Sequence, residues 1–108
     1  MNQWLAYNKE RRGADYIETE QGFITFLISG DECFIEDLFI RPDCRLKGHA
    51  TELVTAAKER GIKQGCKVLT GTIKLDTYGA TDALKFHLKY GAHLVSAHNN
   101  VIVMAKEI

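Results

Sequence analysis

Long apolar runs, paired cysteines and an excess of either charge are all missing from this sequence. No apolar stretch in its 108 residues approaches the length needed to span a bilayer, so no membrane partner is expected. Lys plus Arg and Asp plus Glu each total 14, a net charge of zero, without the basic excess or stripe of a nucleic-acid binder. That balance also removes self-repulsion as a bar to association. The three cysteines, Cys33, Cys44 and Cys66, are odd in number and form no Cys-x-x-Cys pair. Neither a disulfide framework nor a zinc clip is therefore suggested, and reduced thiols fit an intracellular compartment. The opening Met1–Lys9 segment lacks the basic-then-apolar order of a signal peptide. A cytoplasmic protein is expected, with residues 1–108 as a single domain and 1–14 as a short N-terminal helix or arm.

What is present is ordinary globular composition, 45% hydrophobic and 26% charged, with one proline. Residues 1 to about 13 are polar, with Arg11-Arg12 before Gly13; they form either a short helix on Trp4, Leu5 and Tyr7 or a docked arm. From Asp15 the pattern is β. Strands are expected at Tyr16–Thr19, Phe23–Ile28 and Cys33–Ile40, joined by short turns into an antiparallel meander. The period then changes. Ala50, Leu53, Val54 and Ala57 mark an amphipathic helix from about Gly48 to Gln64, with Lys58, Arg60 and Lys63 on a solvated face. Lys67–Ile73 reads as a strand whose Gly71 signals a bulge or a close approach. A second helix covers about Thr81 to Tyr90, with Ala83, Phe86, His87 and Tyr90 on one face. His93–Ser96 and Val101–Met104 flank Asn99-Asn100 as a closing hairpin. The order β-β-β-α-β-α-β-β predicts an α+β fold: one mixed, mostly antiparallel sheet with two main helices.

Chemistry concentrates where the third strand runs into the first long helix. A strand entering a glycine-containing turn at a helix N-terminus makes an anion site, because the first helical turn has free N–H groups and the positive end of the helix dipole. Here Gly48 admits close backbone approach, Ala50 is small, and Arg45 and Lys47 add positive charge. Neither Gly-x-x-x-x-Gly-Lys-Ser/Thr nor Gly-x-Gly-x-x-Gly is present.

Two stretches carry a family resemblance. Glu36-Asp37-Leu38-Phe39-Ile40-Arg41-Pro42 followed by Arg45-x-x-Gly48-x-Ala50, and then Ala83-Leu84-Lys85-Phe86-His87-Leu88-Lys89-Tyr90-Gly91-Ala92, stand in this order along the chain. The sequence resembles the GNAT superfamily of acetyl-CoA-dependent N-acetyltransferases from about Asp15 to its C-terminus. The resemblance implies acetyl-CoA as acyl donor and an amine acceptor, a small amine or polyamine or a protein amino group, with direct attack in a ternary complex and no metal. It assigns the pyrophosphate to the backbone of Arg45, Leu46, Lys47, Gly48, His49, Ala50 and Thr51. It assigns the pantetheine arm to the strand carrying Leu38, Phe39 and Ile40, where an N–H would hold the thioester oxygen as charge develops. Glu36 stands at the position of the general base.

The sequence also departs from the family pattern. His87 occupies the position of the family's tyrosine acid; it can replace the phenol as proton donor or serve only in packing, with Tyr78 and Tyr90 as fallback donors. Ala80 stands where relatives often carry a cofactor-contacting asparagine. Only about fourteen residues precede the first clear strand, where relatives place a strand and one or two helices that wall the acceptor site. The acceptor pocket is then open, completed by a second subunit, or missing, and a homodimer is expected. On a regular strand only one of Glu36 and Asp37 faces the cleft unless a bulge intervenes, and Asp37 is read as a structural acceptor. The acids Glu18, Glu20, Asp31, Glu32 and Glu36 hint at a cationic acceptor. The alternative function is a GNAT-fold protein that binds CoA or a protein partner without catalysis.

Overall fold

The computed structural model describes residues 2–108; Met1, the first residue of the expected N-terminal segment, lies outside them. The chain order is α1 (Gln3–Arg12), β1 (Asp15–Glu18), β2 (Gly22–Ser29), β3 (Glu32–Ile40), a single 3-10 turn (Pro42–Cys44), α2 (His49–Lys63), β4 (Val68–Lys74), α3 (Ala80–Tyr90), β5 (His93–His98) and β6 (Val101–Glu107). The N-terminal segment is thus a helix. The Asn2 side chain accepts from the Trp4 and Leu5 N–H groups, and Gly13, at φ 73, ends the helix by returning its N–H to the Lys9 carbonyl. The two main helices expected, α2 and α3, are present, with α1 as the short N-terminal helix.

The six strands form one sheet in the order β1-β2-β3-β4-β6-β5. The meander pairs antiparallel, and so do β4 with β6 and β5 with β6; β3 and β4 are parallel. That parallel pair needs a crossover, which α2 supplies. Asn99 and Asn100, at φ 50 and 63, provide the two left-handed residues of a tight hairpin between β5 and β6. Gly71 makes no bulge, since its pairing with Met104 lies in an unbroken register.

Strand alternation assigns the two faces. Ile24 and Phe26 of β2 are fully buried with Cys33, Leu53, Val54, Ala57 and Leu69 on the α2 side, where Phe86 and Tyr90 of α3 also pack. Phe23, which precedes Ile24 in sequence, points the other way and stacks 5.8 Å from Trp4 of α1. Helices α2 and α3 therefore cover one face and α1 the other, with Leu5 fully buried beneath α1. Gly61 lets α2 approach the sheet, since a Cβ there would stand 3.1 Å from Cys33 Cβ. Burial pushes the Cys33 thiol up to about 11, reinforced by Cys66 and Glu32. Burial, then Asp31 and Glu32, also raises Cys66.

One expectation about the surface of α2 fails. Arg60 is not merely solvated: it donates to Asp15 at 3.0 Å, reaches the Tyr16 carbonyl at 3.4 Å and lies 5.7 Å over the Phe26 ring. Its hydrocarbon stem and planar head let it tie α2 to β1 across the edge of the core. Burial raises the Asp15 carboxyl, but the Arg60 and Tyr16 hydrogen bonds and the charges of Arg60 and Lys9 outweigh it and hold the group below its ordinary range.

Candidate active site at the fork of β3 and β4

The parallel ladder between β3 and β4 runs from Glu32↔Val68 to Ile35↔Gly71 and stops there. β3 continues to Ile40 and β4 to Lys74, but the two no longer pair. Across the fork, the edge of β3 from Glu36 to Ile40 has its other side held by β2. Free backbone groups on such an edge must find partners, and an extended ligand arm meets that need. Leu38 and Ile40 turn toward the α2 core, while Phe39 stacks on Phe23 at 5.9 Å on the α1 face.

The fork opens at a β-bulge. Thr25 pairs with Asp37 and Phe26 with Ile35, so Glu36 is the extra residue. That irregularity frees Glu36 from strict alternation, and its carboxylate reaches the α1 face, where Arg12 Nη2 stands 3.2 Å from Oε1. The pair has ion-pair distance without hydrogen-bond geometry, and Oε1 is buried with no hydrogen-bond partner among the described residues. Asp37 accepts from the Thr25 hydroxyl at 3.3 Å, and its own N–H donates to the same hydroxyl at 3.0 Å. This is a structural clasp across the bulge.

His87 lies on the opposite face. Its Nδ1 is 2.7 Å from the Ala83 carbonyl, one turn back on α3. A carbonyl only accepts, so Nδ1 carries the hydrogen and Nε2 is the variable nitrogen. Nε2 would stand 3.2 Å from a Cβ at residue 71. Gly71 therefore signals a close approach by a side chain, at the last paired position before the fork. Glu36 and His87 flank the fork from its two sides. The fallback tyrosines do not join them: Tyr78 is fully exposed, and Tyr90 shares a hydrogen bond with Thr55 of α2 at 3.0 Å.

The turn from Arg45 to Thr51 completes the site. Leu46 and Gly48, at φ 63 and 89, are both left-handed, and Gly48 caps α2 without any side-chain hydrogen bond. The first bond into α2 runs from Glu52 N–H to the Gly48 carbonyl at 3.1 Å, leaving the N–H groups of His49, Ala50 and Thr51 for a ligand. Space beside Gly48 is open, with no atom within 4 Å of where its Cβ would stand. Arg45 differs from its expected part as a phosphate cation. Its Nε donates to the Ile40 carbonyl at 2.9 Å and its guanidinium lies 5.7 Å over Phe39, tying the turn to the end of β3. Lys47 Nζ donates to the Asp43 carbonyl at 3.5 Å, and His49 Nδ1 lies 3.7 Å from Glu52.

Sequence reasoning missed Arg12. The Arg11-Arg12 pair was visible, but nothing local ties it to a carboxylate on a strand 24 positions away. The acids of the meander do not form one cluster. Glu18 and Glu20 lie near the β1–β2 turn, whereas Asp31 and Glu32 lie at the far end of β2, where Glu32 accepts from Thr70 at 2.6 Å. No group of three or more His, Cys, Asp or Glu residues among those described is arranged to hold a metal. No described helix is long and apolar enough to cross a membrane.

Comparison with known proteins gives the same architecture. Among curated proteins none matches the sequence. The structure of PaiA N-acetyltransferase from Thermoplasma acidophilum, in complex with coenzyme A, aligns with TM-score 0.74 and 18% identity over 82% of this chain and 54% of its own. Ard1 from Thermoplasma volcanium aligns with TM-score 0.68 and 19% identity over 82% of this chain and 63% of its own. A Bacillus subtilis acetyltransferase in complex with CoA aligns with TM-score 0.73 and 13% identity over 99% of this chain and 84% of its own. The chain thus spans about half the length of the PaiA protein and most of the Bacillus one. The sequence model described as the Acetyltransferase (GNAT) family matches residues 4–92, so the chain belongs to the GNAT acetyltransferase family.

Proposed function

We propose that this protein transfers an acetyl group from acetyl-CoA to a primary amine by direct attack in a ternary complex. The observation that carries the reading is the fork: an edge of β3 from Glu36 to Ile40 unpaired with β4 leads, past one 3-10 turn, to a helix start where no backbone partner takes the N–H groups of His49, Ala50 and Thr51 among the described residues. The donor supplies an activated thioester. The N–H groups of residues 45–51 receive its pyrophosphate, with the α2 dipole adding positive potential. Leu38, Phe39 and Ile40 pair with the pantetheine arm like an added strand, and an N–H there polarises the acyl carbonyl. Glu36, on the α1 face, takes a proton from the incoming ammonium. On the other face His87 Nε2, when protonated, returns a proton to the departing sulfur. Because Nδ1 is committed to Ala83, only the imidazolium can act as this acid.

The acceptor is a small amine, a polyamine or a protein amino group, meeting Glu36 on the α1 face. We place the protein in the cytoplasm, consistent with three unpaired cysteines. We also assign it a homodimer: β5 is an edge strand whose six residues are all exposed, Leu94 and Val95 among them. Sedimentation in solution reads that state, and a monomer at all concentrations would remove the dimer. The function itself is tested by acetyl transfer from acetyl-CoA across a panel of amines. Glu36→Gln should lower turnover while leaving cofactor binding intact. Tight CoA binding without turnover on any amine would favour the alternative, a non-catalytic binding protein.

A further inference from the structure

We propose that Arg12 is a tethered stand-in for the acceptor: its guanidinium fills the cation slot at Glu36, and an incoming ammonium displaces it. This rests on the reading of Glu36 as the residue that meets the acceptor amine. Glu36 is the bulged residue of β3, its side chain only 14% exposed, while the Arg12 side chain is 59% exposed. The carboxylate is thus enclosed by the fold and the cation lies at the surface. Arg12 is the last residue of α1, followed by left-handed Gly13, so its side chain can leave without unwinding the helix.

The fit between the two is incomplete. Nη2 and Oε1 are 3.2 Å apart, yet no hydrogen bond forms, and Oε1 stays buried and unsatisfied among the described residues. A buried carboxylate oxygen left in that state is costly. A primary ammonium is compact and has three rotatable donors, so it can satisfy an oxygen that the planar fork of Arg12 meets off angle. Charge points the same way. Asp37, the next residue, also turns to the α1 side, exposed and bonded to the neutral Thr25 hydroxyl, so a second carboxylate lies beside the Arg12–Glu36 pair. The slot retains negative charge for a second positive group, which favours diamines and polyamines over single amines. Arg12 then sets a threshold: a weakly cationic or bulky acceptor fails to displace it.

The test uses the full chain labelled with nitrogen-15, following the Arg12 Nε–H signal at constant ionic strength. The probes are n-hexylamine and spermidine, added without acetyl-CoA, so a failure of acyl transfer is separable from a failure of the slot. Displacement should move the Arg12 signal to the position of a free guanidinium. Arg12→Gln should tighten amine binding about 1.5-fold to fivefold, the scale of one partly exposed ion pair. Arg12→Lys, which tethers a primary ammonium at the slot, should bind amine more weakly than the wild type, and Glu36→Gln should lose binding. An Arg12 signal that stays fixed at saturating amine, equal or weaker binding in Arg12→Gln, or no binding of either probe would each overturn the proposal.

Discussion

The two faces of the sheet are built differently. On one, α2 and α3 press a continuous apolar layer onto β2, β3 and β4, with Ile24, Phe26, Cys33 and Ala57 fully buried. On the other, a ten-residue helix covers the β1–β3 end through Leu5, Asn8 and an aromatic contact from Trp4 to Phe23. The fork lies between them, with His87 on the dense side and Glu36 on the sparse side. Under the proposed function, donor chemistry falls on the dense side and acceptor chemistry on the sparse side. The dense face holds most of the buried apolar side chains, whereas the sparse face rests on few.

Substitutions can break or sharpen that contrast. Phe26→Ala should cost the whole fold about 3–5 kcal/mol in chemical denaturation. Leu5→Ala, though its side chain is equally buried, should loosen α1 first, read as faster amide exchange in residues 3–12 with acetyl-CoA affinity unchanged. Equal global loss in both would erase the distinction between the faces. Glu36→Gln should reduce kcat by roughly 100-fold, about 2.7 kcal/mol, in steady-state kinetics with unaltered acetyl-CoA binding. If cofactor binding falls with it, Glu36 belongs to the donor side.

Smaller effects follow from backbone and charge. Gly48→Ala places a side chain at φ 89, a strain of about 1–2 kcal/mol, and should weaken acetyl-CoA binding measured by calorimetry more than it lowers the melting temperature. The Asp15–Arg60 tie gives the smallest stability effect. Because the folded-state pKa of Asp15 is lowered, its contribution is present above the unfolded value of about 3.9 and is lost as pH falls through the folded value. Asp15→Asn should therefore flatten that part of the acid-denaturation curve, by at most about 1 kcal/mol. An unchanged curve would show that Arg60 holds β1 through the Tyr16 carbonyl alone. Under native conditions a thiol reagent should label Cys44, which is partly exposed, while buried Cys33 and Cys66 react only on unfolding.

The dense face was the readable one. The 3.6 period of Ala50, Leu53, Val54 and Ala57 and the turn residues of the meander fix α2 and the first three strands from local pattern alone. The start of α2 after Gly48 was legible because a helix N-terminus is written in consecutive residues. The sparse face was not. The bulge at Glu36 depends on how β2 and β3 pair, which no local spacing records. The Arg12–Glu36 contact joins residues 24 apart through the docking of α1, and the Arg45 side chain turns back to the Ile40 carbonyl for a reason only the folded turn supplies. Gly71 stands out within its strand, but its neighbour His87 comes from another element.

Calorimetric titration of the full chain with acetyl-CoA, alongside a folded Gly48→Glu variant, tests the central claim most directly. Saturable binding of one acetyl-CoA per chain by the wild type, lost in the variant, is the expected result. No binding by the wild type, or equal binding by both, would contradict the assignment of the fork and its turn to the acyl donor.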